Sequence, residues 1–144
     1  MESIESPGNL GTIIRTAEAA GATGMFVLSA DCDPYDSATV RATMGSLFSQ
    51  KFVRCSPREF EDWAKSNGVA VVASSPAGLM GYKGLRYRFP AVLVIGSEKC
   101  GLSEQLLEVA DFVFRIPMRG SCDSINAAVA AGVLLFESAS QGAV

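Results

Sequence analysis

The chain has 144 residues, with 12 Lys plus Arg against 15 Asp plus Glu and no histidine, for a formal net charge of −3. At 49% hydrophobic and 19% charged residues it reads as one compact globular domain, neither disordered nor low-complexity. The lack of histidine excludes Ser-His-Asp and Cys-His nucleophile systems, an HExxH zinc site and an imidazole general base. Folding at this length buries about two-thirds of the chain's surface, so no disulfide or metal staple is required. Cys32, Cys55, Cys100 and Cys122 show no CxxC spacing and no stretch reads as a signal peptide, which predicts a reduced, cytoplasmic setting. No apolar run approaches the roughly 20 residues that span a bilayer, so no membrane segment is expected. The mild acidity argues against a free-standing, sequence-indifferent nucleic-acid binder, but not against an enzyme that touches RNA at one patch.

Residues 10–20 place Leu10, Ile13, Ile14 and Ala17 on one helical face closed by Gly21. A short apolar strand follows at 25–28, and residues 37–48 repeat the helical pattern through Val40, Met44, Leu47 and Phe48. After a brief strand at 52–55, Ser56-Pro57-Arg58-Glu59 has the spacing of a capping box, with Phe60, Trp63 and Ala64 behind it. A buried strand at 69–73 leads into the Gly-rich, locally basic connection 74–90. AVLVI at 91–95 is the strongest strand signal, Ser103 caps a short helix, 112–116 is another strand, and 124–138 the final helix. Continuous apolar strands alternating with helices predict a parallel sheet covered on both faces, an α/β fold in one domain. The final helix is apolar almost all round apart from Asn126, which predicts either central burial or a second subunit against its outer side. A doubly wound sheet opens with a full strand, and MESIESPGNLG leaves room only for a meagre one, so the chain is expected to lack its first strand.

Three polar clusters interrupt the apolar pattern, each at an element terminus. In the first, Asn9 is placed to cap a helix and Arg15 follows the apolar Ile13-Ile14 pair; a plain cap with a surface arginine is the competing reading. The second, residues 95–103, begins at the carboxyl end of the strongest strand, where open α/β sheets hold their ligands. There Gly96 and Gly101 can bring backbone close to a ligand, and Glu98 stands without structural need. Neither GxGxxG nor a P-loop is present. In the third, residues 116–126, Ser124 or Asp123 can cap the last helix, while Asn126 is a poor helix former that calls for a partner or ligand.

NLGTIIRTAEAAG at 9–21, LVIGSEKCGLS at 93–103 and IPMRGSCDSINAAVAAGVLLFE at 116–137 resemble the three ordered motifs of the SpoU/TrmH family of RNA ribose 2′-O-methyltransferases, in the SPOUT superfamily. Residues 33–48 are similar to the family's connecting helix, so the resemblance covers nearly the whole chain. It implies a Rossmann-like parallel sheet whose C-terminal segment is threaded into a deep trefoil knot, an exception to the usual absence of knots. It further implies S-adenosyl-L-methionine as cofactor, tRNA or rRNA as substrate, no metal, and a homodimer built on helices 124–138 and 10–20. By motif matching, Asn9, Arg15, Glu98, Ser124 and Asn126 are the catalytic set. Ser74, Gly96, Ser97, Gly101, Ile116, Met118, Ser124 and Ile125 line the cofactor site. Two positions depart from the family pattern: Lys99 stands where Gly commonly follows the acidic residue, and Ile125 where Leu is usual. Lys99 is expected to alter the loop or to meet an RNA phosphate.

The resemblance also implies a separate upstream RNA-binding domain, which residues 1–144 do not contain. Methyl transfer to a ribose hydroxyl depends on alignment and on stabilising the developing alkoxide. A guanidinium in water keeps its proton at physiological pH, so Arg15 is expected to hold phosphate and stabilise charge rather than act as a base. A catalytically idle RNA-binding or assembly subunit of the same fold is the alternative reading.

Overall fold

The computed structural model describes residues 1–29, 33–97 and 99–142. Six strands and five α-helices alternate among them: α1 (Pro7–Ala19), β1 (Met25–Val27), α2 (Ser37–Ala42), β2 (Phe52–Arg54), α3 (Pro57–Asn67), β3 (Ala70–Ser74), β4 (Met80–Gly81), β5 (Ala91–Val94), α4 (Glu104–Val109), β6 (Phe112–Arg115) and α5 (Ala127–Gln141). Every pairing is parallel, in the orders β1-β2 and β4-β6-β3-β5. The expected parallel sheet covered on both faces is therefore present. Val71, Ala73 and Val94 turn to Phe60 and Ala64 of α3 and Leu106 of α4, while Val72 and Phe114 turn the other way, to Leu134 of α5. Leu10, Ile13 and Ile14 of α1 pack with Ala127, Ala128 and Ala131 of α5 on that second side.

Residues Met1 and Glu2 join the two groups of strands. The Met1 ammonium donates to the Phe26 carbonyl at 2.7 Å, Leu28 N–H donates to the Met1 carbonyl at 2.9 Å, and Glu2 N–H donates to the Ile95 carbonyl at 3.0 Å. Met1 and Glu2, outside any strand, thus bridge β1 and the end of β5.

The path of residues 74–91 is the distinctive topological feature. Ser74 of β3 and Met80 of β4 both register with Phe114 of β6, from opposite sides. The connection 75–79 therefore straddles β6, and a Cβ at Gly78 would come within 2.4 Å of the Phe114 carbonyl carbon. The chain then returns to β5 on the far side of β3, so β6 runs inside a loop laid down before it. At the base of that loop the Gln141 amide of α5 donates to the Leu85 carbonyl at 3.1 Å and accepts from Tyr87 N–H at 3.2 Å.

Several helix boundaries differ from the periodicity. Ser6, not Asn9, caps α1, accepting from Asn9 N–H at 3.4 Å with Pro7 in the first turn. Apolar spacing begins only at Leu10, which hid a Ser-Pro start of the kind that opens α3. The helix expected over 37–48 breaks after Ala42, because Met44 (φ 51°) and Gly45 (φ 93°) turn left-handed before a 3₁₀ turn at Ser46–Ser49. That reversal leaves Phe48 86% exposed instead of on a buried face. The capping box of α3 forms in full, and the Glu59 carboxyl is held below its ordinary range by Ser56 N–H first and the Ser56 hydroxyl second. Trp63 lies at the surface edge, its ring 4.6 Å from that of Phe26. The last helix begins at Ala127 rather than Ser124, and its cap is Asn126, not Ser124 or Asp123.

Candidate functional site

Ser74 ends β3, Gly96 follows β5 and Ile116 follows β6, and β3 lies between the other two strands. These three residues consequently share one carboxyl edge of the parallel sheet, where the first residues past each strand face a common space. Ser74, Gly96, Ile116 and Met118 are half-buried there.

The described residues after β5, 96–97 and 99–101, brace one another. Ser97 and Gly101 exchange both backbone hydrogen bonds at 3.1 Å, and the buried Ser97 hydroxyl accepts from Cys100 N–H at 3.0 Å. A Cβ on Gly96 would sit 2.2 Å from the Gly101 carbonyl oxygen, and Gly101 itself has φ 68°. Both glycines therefore have a demand from the loop itself, beyond any approach of a ligand. Glu98 lies outside the described residues.

The first and third motifs meet directly. Asn126 donates from Nδ2 to Asn9 Oδ1 at 3.1 Å, across 117 positions of sequence. Its own Oδ1 accepts from Ala128 and Val129 N–H at 2.9 and 3.3 Å, so one amide caps α5 and ties it to α1. Ser124 and Ile125 precede the cap, both exposed. Arg15 is exposed on α1 more than a turn beyond Asn9, and its guanidinium has no ion-pair or hydrogen-bond partner among the described residues. The structure brings Asn9 and Asn126 together, and Ser74, Gly96 and Ile116 to one edge; among the described residues, neither Arg15 nor Ser124 hydrogen-bonds or ion-pairs with another side chain of the set.

Two residues that the sequence reading passed over hold this region. Glu2 Oε2 accepts from Ser103 N–H at 2.8 Å, and Glu5 Oε2 accepts from Lys99 Nζ at 2.7 Å. Glutamates in an extended segment carry no periodic or motif signal, so nothing marked them. Beside them a hollow of ≈ 210 Å³ is lined by Ile4, Glu5, Pro7, Leu10, Asp33, Asp36 and Thr39, an acidic wall unsuited to phosphate. A larger hollow, ≈ 490 Å³, opens at the opposite, amino end of the strands by Ala70, Pro90 and Asp111, far from these motifs.

The cofactor implied by the motifs carries an adenine, a ribose and a charged amino-acid end. From Met118 to Ile125 the chain makes no backbone–backbone hydrogen bond among the described residues. Its amide and carbonyl groups are thus available beside the half-buried Ile116 and Met118, a mixture of apolar face and donor–acceptor edge that suits an adenine ring. The donor set fits the group. Among the described residues no three His, Cys, Asp or Glu side chains converge as for a metal, and no helix is long and apolar enough to cross a membrane.

Comparison with known proteins agrees with this geometry. The chain is 40% identical over 142 residues to a 23S rRNA (uridine(2479)-2′-O)-methyltransferase of Streptomyces viridochromogenes, covering 94% of this chain and 50% of that protein. It is 32% identical over 136 residues to the 23S rRNA (guanosine(2553)-2′-O)-methyltransferase RlmP of Bacillus subtilis, covering 94% and 55%. Among solved structures, the SpoU methyltransferase AviRb of S. viridochromogenes with AdoMet superposes at TM-score 0.91 with 38% identity, over 97% of this chain and 55% of that one. An AdoMet-bound rRNA methyltransferase of Sinorhizobium meliloti gives TM-score 0.91 and 43% identity, over 95% and 53%. The chain spans about half the length of the relatives it matches. The α/β fold with its parallel sheet is that of the SPOUT superfamily, whose members carry the deep trefoil knot, in keeping with β6 running inside the loop 74–91. The SpoU rRNA Methylase family model matches residues 1–136, and the chain belongs to that family.

Proposed function

We propose that this chain is the catalytic portion of a larger RNA 2′-O-methyltransferase that moves a methyl group from S-adenosylmethionine to a ribose 2′-hydroxyl of rRNA or tRNA. The observation that carries the reading is the Asn9–Asn126 bond, which joins the first and third motifs beside the carboxyl edge of β3, β5 and β6. Relatives that act on 23S rRNA and AdoMet-bound structures of the same fold support it.

When bound, S-adenosylmethionine supplies an electrophilic methyl group on a sulfonium. The backbone of 116–125, with Ser74, Gly96, Ser97 and Gly101, would hold that cofactor. Asn9 and Asn126 fix the start of α5 against the start of α1, so the 116–126 segment is anchored at its far end. Arg15, exposed and unpaired among the described residues, is free to take an RNA phosphate and stabilise charge growing on the ribose oxygen. Glu98 and Ser124 complete the polar set. Placement of the acceptor, rather than a strong base, carries the rate in this scheme, and the 2′-hydroxyl proton passes to solvent as the oxygen takes the methyl group.

The working unit in this reading is a homodimer on α5 and α1. Val129 and Phe136, each 54% exposed, lie on α5, whose buried residues already face this chain's own core. An upstream RNA-binding domain would supply most of the RNA affinity, and the reduced thiols of Cys55, Cys100 and Cys122 suit a cytoplasmic setting. Calorimetric titration of S-adenosylmethionine into the chain tests the assignment. Saturable binding that is weakened by Asn126→Ala supports it, and absence of binding by the folded chain contradicts it.

A further inference from the structure

The segment Met1–Ser6 grips the loop after β5 at three points. Glu2 N–H donates to the Ile95 carbonyl, Ser103 N–H donates to Glu2 Oε2 at 2.8 Å, and Lys99 Nζ donates to Glu5 Oε2 at 2.7 Å. The loop it grips is already stiff, through the Ser97–Gly101 pair and the Ser97 hydroxyl. One residue beyond Glu5, Ser6 caps α1, the helix that carries Asn9 and Arg15. The ion pair thus spans 94 positions of sequence to connect the loop after β5 with the amino end of that helix.

We propose that Lys99 is a positioning residue: through Glu5 it locks Ser97 and residues 99–103 onto the amino end of α1, so that the two move as one body. Its ammonium is engaged by a carboxylate within the fold rather than held out for an RNA phosphate. Because Lys99 and Glu5 are both exposed, the pair alone is worth little, and its influence comes from acting beside the Glu2 contacts on a braced loop. What the lock would serve, alignment of cofactor and Arg15, rests on the methyltransferase reading; the lock itself does not.

The experiment is a double-mutant cycle in the full chain with Glu5→Gln, Lys99→Gln and the pair, plus the charge swap Glu5→Lys with Lys99→Glu. Amide exchange of Ser97, Cys100, Gly101 and Ser103, followed by NMR, reports the lock without any need for catalysis. Each single variant is expected to speed exchange about two- to five-fold, the range open to an exposed ion pair, with no further gain in the double variant and recovery in the swap. The Kd for S-adenosylmethionine should weaken by a similar factor in both single variants, while the salt slope of RNA binding stays unchanged. Unchanged exchange in Glu5→Gln overturns the proposal, as do additive effects of the two substitutions. A salt slope lowered by about 0.7 to 0.9 in Lys99→Gln alone also overturns it, since Lys99 would then be a phosphate contact. A parental chain that binds no cofactor contradicts the methyltransferase reading instead, and leaves the exchange data to judge the lock.

Discussion

Asn126 does with one side chain what is usually divided between two: its oxygen caps α5 while its nitrogen holds Asn9. Replacing Asn126 with Ala removes both and is expected to cost about 1–2 kcal/mol in urea unfolding, whereas Asn9→Ala spares the cap and should cost less than about 1 kcal/mol. Equal costs would show that the cap contributes nothing. Tyr87 offers a second test. Its hydroxyl is buried with no partner among the described residues, and burial first, then the Glu137 charge, pushes its pKa up to about 12. Because that pKa is raised above the ordinary 10.0, the stability tied to the neutral phenol is complete below pH 10 and fades as pH climbs toward about 12. Tyr87→Phe should leave stability at pH 7 unchanged or raise it by up to about 1 kcal/mol, and should flatten the alkaline decline. At this scale the sequence was partly readable. Ser56 and Glu59 announced their cap by spacing, and Asn126 stood out as a misfit in an Ala-rich run. The cap of α5 was misplaced: Asp123 and Ser124 accept readily and come first in the chain, whereas Asn126 takes the cap and is tied to Asn9.

Close approach of α1 and α2 depends on one glycine. A Cβ at Gly11 would lie 2.5 Å from Ala42 Cβ and 2.6 Å from the Thr39 carbonyl oxygen. Helix propensity favours Ala there by about 1 kcal/mol, but the clash forces the helices apart, so Gly11→Ala should destabilise by about 1–3 kcal/mol net. Thermal melting decides, and a raised Tm would show that the interface yields. Strands were the most legible elements: AVVA and AVLV are continuous apolar runs, with Val71, Val72, Ala73 and Val94 buried and the rest half-buried, and have no alternative pattern to follow. The break in α2 was not, because Val40, Met44, Leu47 and Phe48 keep helical spacing through a left-handed turn that periodicity ignores.

For the whole molecule, alternation of strand and helix foretold the layers but not the threading, since β4 has two residues and no apolar run to mark it. The outer face of α5 was legible as an excess of apolar residues with no place in one core. Its proper probes are Val129 and Phe136, because Ala128 and Ala131 are buried within the chain, where an aspartate would unfold it. Val129→Asp with Phe136→Asp should give a folded monomer of 15.1 kDa by light scattering, against a parental dimer. A parental monomer at micromolar concentration would contradict the proposed assembly.

The central claim, that these motifs arrange ribose methylation, is tested most directly by mass spectrometry of nucleosides from 23S rRNA incubated with S-adenosylmethionine and either the parental chain or Arg15→Ala. A 2′-O-methylated nucleoside is expected with the parent and about a hundred-fold less or lower with the variant, on the order of the loss when a preorganised charge stabiliser is removed. Methylation on a base, or equal ribose methylation by both proteins, would contradict it.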